Sequence, residues 1–283
     1  MTKEFIEFKK ERDLGSIIND AFKFIRLEGK QFFLTILKIA AIPIVIAVAA
    51  MLYYMTSITQ LGAEEINGFG GMIMSALIMM VAYLIAFVFI NLAGMHYIKS
   101  YIDNKGRVDI YEVQNNTRER FWSFTGFGFL SGLLMFISVL LCVFPMFYTW
   151  TVLSLGASIL VFENESATST IGRCFSFIKG HFWETLGVIL VVSLLVGVLG
   201  YVFQIPAMIY QIIQMGIGIG NDDPTEVFSL FSDPIYLILN VISIVGQLMF
   251  YSITLITNVF LYFDINEQKN LTGTIETIDN IGR

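Results

Sequence analysis

The sequence predicts an all-α, polytopic membrane bundle of six transmembrane helices, and three observations carry that reading. The first is composition. Of 283 residues, 56% are hydrophobic and 14% charged, with a mean hydropathy of +0.73, whereas a soluble domain carries roughly 25% charged residues. A water-exposed exterior cannot be built from so few polar side chains, and lipid removes the need for one. The second is continuity. Residues 39–63, 66–98, 121–162, 185–221 and 234–263 contain no Asp, Glu, Lys or Arg, and each run exceeds the roughly 20 residues of a membrane helix. The third is charge placement. With six spans and a cytoplasmic N-terminus, all 17 Lys and Arg fall on the cytoplasmic side. The opposite loops hold Glu64, Glu65, Asp222, Asp223, Glu226 and Asp233 and no base, the asymmetry that the positive-inside rule describes. Five spans would carry Arg173 and Lys179 across.

The sixth span comes from the longest run. As one straight helix, 121–162 would extend roughly 63 Å, about twice a hydrocarbon core. It is expected to fold back near Pro145 in "CVFPMFYTW", because proline lacks a donor and clashes with the preceding turn. The spans are then placed near 33–57, 72–98, 122–144, 147–162, 184–214 and 235–263. No cleavable signal peptide is expected, since a mixed-charge stretch precedes the first apolar run.

An amphipathic stretch precedes each odd-numbered span. In the first, Leu14, Ile17, Ile18, Ala21, Phe22 and Ile25 share one helical face, and Asp13 is the expected N-cap. Before the fifth span, Ala167, Ile171, Cys174, Phe175 and Ile178 form a similar stripe. Ile110, Val113, Thr117 and Phe121 make a weaker one before the third. Helices of this kind are expected to lie in the membrane interface with the apolar face down. "AFKFIR" (21–26) matches "CFSFIK" (174–179). An offset of 61 aligns Phe121-Trp122 with Phe182-Trp183, Gly126 with Gly187 and Pro145 with Pro206. These matches point to a threefold unit of interfacial helix plus helical hairpin, near 13–100, 108–162 and 166–264, within a single membrane domain, 1–283. Phe32, Phe33, Phe121, Trp122, Phe182 and Trp183 then stand where each unit turns into its span, as anchors at the headgroup level.

"RDLGSIINDAFKFIR", "IGRCFSFIKGHFWETLGVIL" and the closing "LYFDINEQKN" together resemble a broad bacterial family of six-helix membrane proteins. It includes the membrane region attached to some glycerophosphodiester phosphodiesterases and many stand-alone members. Asn266 and Gln268 stand where the family's closing pattern has arginines. The resemblance implies the six-helix architecture and no particular activity.

Candidate chemistry is sparse. No segment is large enough for a soluble catalytic domain, and the two histidines, His96 and His181, sit at span ends as interfacial polar residues. "MGIGIGNDD" (215–223) lacks the preceding strand of a phosphate loop and reads as an external loop; its acids, with Glu226, are the only candidates for a cation. Lys38 lies inside an apolar run, where its stem can snorkel to the interface. The sharper alternative is a buried ion pair with Glu184. Asn91, Gln204, Asn240, Gln247 and Asn258 serve as hydrogen-bonding glue between helices, or alternatively line a polar path, with Pro43 and Pro206 breaking helices. Gly128 and Gly132 form a GxxxG step for close helix packing.

These residues lead to the expectation of a non-enzymatic multi-pass protein of the bacterial cytoplasmic (inner) membrane, with both termini cytoplasmic. It would organise membrane lipid or a membrane-protein partner, without cofactor, metal or nucleic acid. The alternative is a transporter or permeation pathway for a small molecule or lipid.

Overall fold

Nearly every described residue of the apolar runs is helical in the computed structural model, which describes residues 5–59, 67–141, 143–220 and 230–281. Hydrocarbon offers no partner for backbone N–H and C=O groups, so a spanning segment must satisfy them internally. The helices are α1 (Leu14–Thr59), α2 (Asn67–Asp103), α3 (Ile110–Leu141), α4 (Val143–Ser154), α5 (Gly156–Phe162), α6 (Ala167–Phe177), α7 (Phe182–Gly220), α8 (Pro234–Asn270) and α9 (Thr272–Ile281). Six candidate spans, α4 and α5 counting as one, are long and apolar enough to cross a membrane.

Their ends carry the expected chemistry. Asp13 accepts from the Ser16 N–H at 3.3 Å, and Asp109 accepts from the Tyr111 N–H at 2.9 Å. Ser166 caps α6 reciprocally with Ser169. Asp233 accepts from the Ile235 and Tyr236 N–H groups at 2.8 and 3.1 Å, with Pro234 at the first helical position, where a missing N–H costs nothing.

Four expectations need correction. Pro145 sits in the first turn of α4 rather than at the bend itself, a position proline tolerates. Pro43 and Pro206 lie inside continuous helices. Met215–Gly220, expected in a loop, continues α7; Asn221–Asp223 and Glu226 are outside the described residues. Gly128 and Gly132 face no neighbouring atom within 4 Å among the described residues. The tight approach is made elsewhere, at Gly156, where a Cβ would run into the Phe127 ring.

The interfacial helices also differ from one another. Only the third amphipathic stretch is a separate helix, α6, parted from α7 by Gly180 at φ +92°. The first and second run straight on as the beginnings of α1 and α3. Part of the first stripe packs against protein: Ile17 and Ala21 are fully buried, beside Phe24, while Leu14, Ile18, Phe22 and Ile25 are half-buried.

Contacts gather the chain into two compact units, whose boundaries fall inside α1, α2, α7 and α8. Unit 1 comprises residues 1–39, 90–195 and 252–283, and unit 2 comprises 40–89 and 196–251. The second predicted repeat copy lies wholly in unit 1, while the first and third are divided between both.

Unit 1 is built on aromatic packing. Phe8 stacks on Phe260 at 4.2 Å and meets Phe24 edge-on at 5.7 Å. Phe24 continues to Phe32 at 6.0 Å, and Phe32 to Tyr97 at 5.2 Å. Phe177 and Phe162 both stack on Tyr262, at 5.2 and 5.6 Å. Each such pair is worth about 0.5–1.5 kcal/mol beyond its burial.

In unit 2, α7 and α8 meet along one stripe. The Ser243 hydroxyl donates to the Phe203 carbonyl at 2.8 Å. A Cβ at Gly246 would run into the Phe203 ring, and one at Gly200 would touch Gln247 at 3.7 Å. Small residues let the two helices approach, as is common in membrane bundles.

Candidate functional site

Two places concentrate polar chemistry, and they are of opposite kinds. The first is a charged network in unit 1. Residues 5–13 are not helical; Ile6 and Phe8 are buried and Glu7 exposed, the alternation of an extended strand-like segment. Arg12 closes this segment. Its side chain is 1% exposed and it donates to the Phe8 and Lys10 carbonyls at 2.7 and 3.1 Å, to the Glu7 carbonyl, and to the Asp20 carboxylate at 2.9 Å. The Arg12 N–H donates to Asp264 at 2.7 Å, and the guanidinium lies 4.7 Å over Phe260. Burial holds the guanidinium below its ordinary pKa, against the opposing pull of Asp20.

The residues of "LYFDINEQKN" complete the network. Asp264 also accepts from Gln268 at 3.0 Å. Glu267 is 2% exposed and accepts from the Gly273 and Thr274 N–H groups at 2.6 and 2.9 Å. A carboxylate thus sits on the N-terminus of α9, where the helix dipole favours negative charge. Lys269 donates to the carbonyls of Phe177, Ser176 and Lys179 at 2.5, 3.4 and 3.1 Å, closing the C-terminal end of α6. Across the α5–α6 turn, Arg173 grips Glu163 with two hydrogen bonds of 2.6 and 3.2 Å. That grip raises the Arg173 pKa. Lys99 and Arg120 donate to the carbonyls of Val161, Asn164 and Glu165. These charges are engaged with backbone and helix ends, which is the chemistry of a clamp. Burial pushes the Cys174 thiol up to about 12, so it stays protonated.

The second place is a cavity of about 410 Å³ in unit 2, lined by Tyr83 and Phe87 of α2, Val196, Gly197, Gly200, Tyr201 and Gln204 of α7, and Ile244, Gln247 and Tyr251 of α8. Gln247 donates to the Gln204 carbonyl at 3.0 Å. The lining holds amides and phenols, with no amine, carboxylate, imidazole or thiol. Such a surface can recognise a neutral hydrogen-bonding group. It offers no strong acid, base or nucleophile.

The residues singled out from sequence divide between these places. Gln204 and Gln247 are brought together. Asn240 donates to its own helix, at Tyr236, and Asn258 donates to the Ser154 carbonyl at 3.2 Å. Asn91 is buried in unit 1. Only the two glutamines of these five line the cavity. Lys38 is exposed, and Glu184 lies 3.6 Å from His181; the structure does not bring Lys38 and Glu184 together. Trp122 and Trp183 are 78% and 80% exposed, each edge-on to its preceding Phe121 or Phe182 at 5.2 Å. Phe33 is half-buried and packs edge-on against Phe32 at 5.4 Å. Phe32 is fully buried, so it packs against Phe24 and Tyr97 and has no face left for lipid. His96 is buried, with no hydrogen-bond partner on either ring nitrogen. Among the described residues no group of three His, Cys, Asp or Glu side chains is placed to hold a metal.

Sequence reasoning missed Arg12, Glu267 and Lys269 as clamp residues. The Ile6/Phe8 alternation marks the extended segment, but nothing near Arg12 in the chain names Asp264 as its partner.

The helices and their composition define the class: this is a multi-pass integral membrane protein. No family model, curated protein or solved structure matches the chain.

Proposed function

We propose that this protein is a non-enzymatic organiser of membrane lipid or of a membrane-protein partner, in the cytoplasmic membrane of a bacterium, with both termini in the cytoplasm. The observation that carries the reading is the use made of charge in unit 1. Arg12, Lys99, Arg120 and Lys269 hold backbone carbonyls, and Glu267 holds a helix N-terminus. A polar network devoted to fixing helices supports a scaffold better than a reaction centre. The exposed Trp122 and Trp183 supply headgroup-level anchors at two equivalent positions. The segregation of every Lys and Arg supports the orientation, and the family resemblance supports the bacterial setting.

A permeation pathway is the second reading, and the unit 2 cavity is what favours it. The two are separated by purifying the protein in mild detergent from cells that carry it and cells that lack it, and identifying retained lipid and protein. Reproducible recovery of one lipid class or one stoichiometric partner supports the organiser. A protein that retains neither, yet moves solute across reconstituted vesicles, overturns it.

A further inference from the structure

The hydrogen-bonding inventory of the Gln204–Gln247 pair is the starting point. Two primary amides carry four N–H donors and two carbonyl oxygens between them. The single bond joining them uses one donor and one acceptor site. Three N–H groups and a carbonyl oxygen remain, whichever way the two amides are turned. Both side chains are exposed and line the cavity, and both stand on segments that cross the membrane. In hydrocarbon, a polar group without a partner costs several kcal/mol. The cavity therefore presents an unfulfilled demand for a molecule that brings acceptors to the N–H groups and a donor to the carbonyl.

We infer that the unit 2 cavity is a lateral binding site for a neutral glyceride-type lipid, whose ester carbonyls accept from the amide N–H groups and whose free hydroxyl donates to the remaining amide carbonyl. This deepens the lipid-organising reading above and rests on it. Neutrality follows from the lining, which contains no cation to balance a phosphate. A quinone-type lipid supplies carbonyl acceptors but brings no donor of its own for the amide oxygen, whereas a glyceride brings both. The volume of about 410 Å³ lies within the range of about 300–1,000 Å³ for small-molecule sites. Glycines keep it open: a Cβ at Gly197 would meet nothing within 4 Å. The phenols of Tyr83, Tyr201 and Tyr251 complete a wall that is apolar in body and polar at the tip.

The test uses the full chain reconstituted in phosphatidylcholine–phosphatidylglycerol vesicles containing a photoactivatable dioleoylglycerol, with labelled peptides identified by mass spectrometry. Label is expected within 83–87, 196–204 and 244–251, and is displaced by unlabelled dioleoylglycerol but not by added phosphatidylglycerol or ubiquinone. The double variant Gln204→Leu/Gln247→Leu removes the polar demand. Gly197→Phe fills the cavity from a position with free space around it. Each is expected to reduce labelling about tenfold, corresponding to about 1.4 kcal/mol, at an unchanged size-exclusion profile. Equal displacement by phosphatidylglycerol or ubiquinone, or undiminished labelling of both variants, overturns the site. If the purified protein still retains lipid in that case, the organising role stands without it. If it retains neither lipid nor partner, the broader reading falls by its own experiment.

Discussion

Unit 1 and unit 2 use stretches of the same four long helices, yet different forces hold them. Unit 1 buries Arg12, Glu28, Asp264 and Glu267. In unit 2, the buried polar side chains among the described residues are Ser57, Ser75 and Ser243; Ser57 and Ser75 donate to a carbonyl one turn back in their own helix, and the Ser243 hydroxyl lies 2.8 Å from both the Leu239 and the Phe203 carbonyl. A buried charge is tolerable only with its partners in place, so it fixes one arrangement and penalises others. Unit 2 is held by close packing, as at Phe203 and Gly246, with neutral hydrogen bonds and no buried charge among its described residues. The lesson is that charge is used differently along the helices: in unit 1 it locks the backbone in a clamp, whereas the Gln204–Gln247 cavity of unit 2 is lined by no charged side chain.

Breaking that contrast should begin at Arg12. Arg12→Ala takes the donor from three carbonyls, the Phe8 one buried, and leaves Asp20 with only Lys10 at 3.8 Å; with a side chain as buried as that of Arg12, it is expected to cost about 3–5 kcal/mol. Thermal unfolding in detergent measures this, and a shift no larger than that of an exposed Lys10→Ala control would refute the clamp. Next is Gly246→Ala. The added methyl meets the Phe203 ring, and overpacking of this kind costs about 1–3 kcal/mol; the loss should be relieved by pairing it with Phe203→Leu. Glu267→Ala removes the acceptor from the first turn of α9, at a cost of about 1–2 kcal/mol. Hydrogen exchange should then quicken in 272–281 and stay unchanged in unit 2. The smallest effect belongs to Gln247→Leu. Interhelical hydrogen bonds in membranes are worth about 0.6 kcal/mol, so its melting should be close to that of the parent. A large loss would mean that the amide pair is structural glue and would remove the distinction between the units.

How far the sequence discloses this depends on distance along the chain. The long apolar runs and the Asp13 cap are local, and they appear where periodicity and composition put them. The Phe-Trp pairs are local too, and both tryptophans stand exposed. Periodicity identified the apolar face of 14–25 without naming what covers it. Phe24, beside that stripe, meets Phe8 and Tyr101, side chains in other segments, so this flank of the helix joins the core. Pro145 marked the hairpin without standing at its bend, because proline fits a first turn as well as a bend. Gln204 and Gln247 were legible as membrane amides. Their pairing was not, being set by the packing of α7 on α8.

The contact between Arg12 and Asp264 joins residues 252 apart, and Lys9 reaches Glu276 at 2.6 Å across 267. A ribosome working at 5–20 residues per second needs on the order of ten to fifty seconds to bridge such an interval. Throughout that time Phe8 lacks Phe260 and Arg12 lacks Asp264, while the intervening helices are being threaded into the bilayer. The two ends of the fold therefore close last. Closure becomes a late checkpoint in biogenesis, and a chain truncated before residue 264 would present an unlocked, aromatic N-terminal segment to quality control.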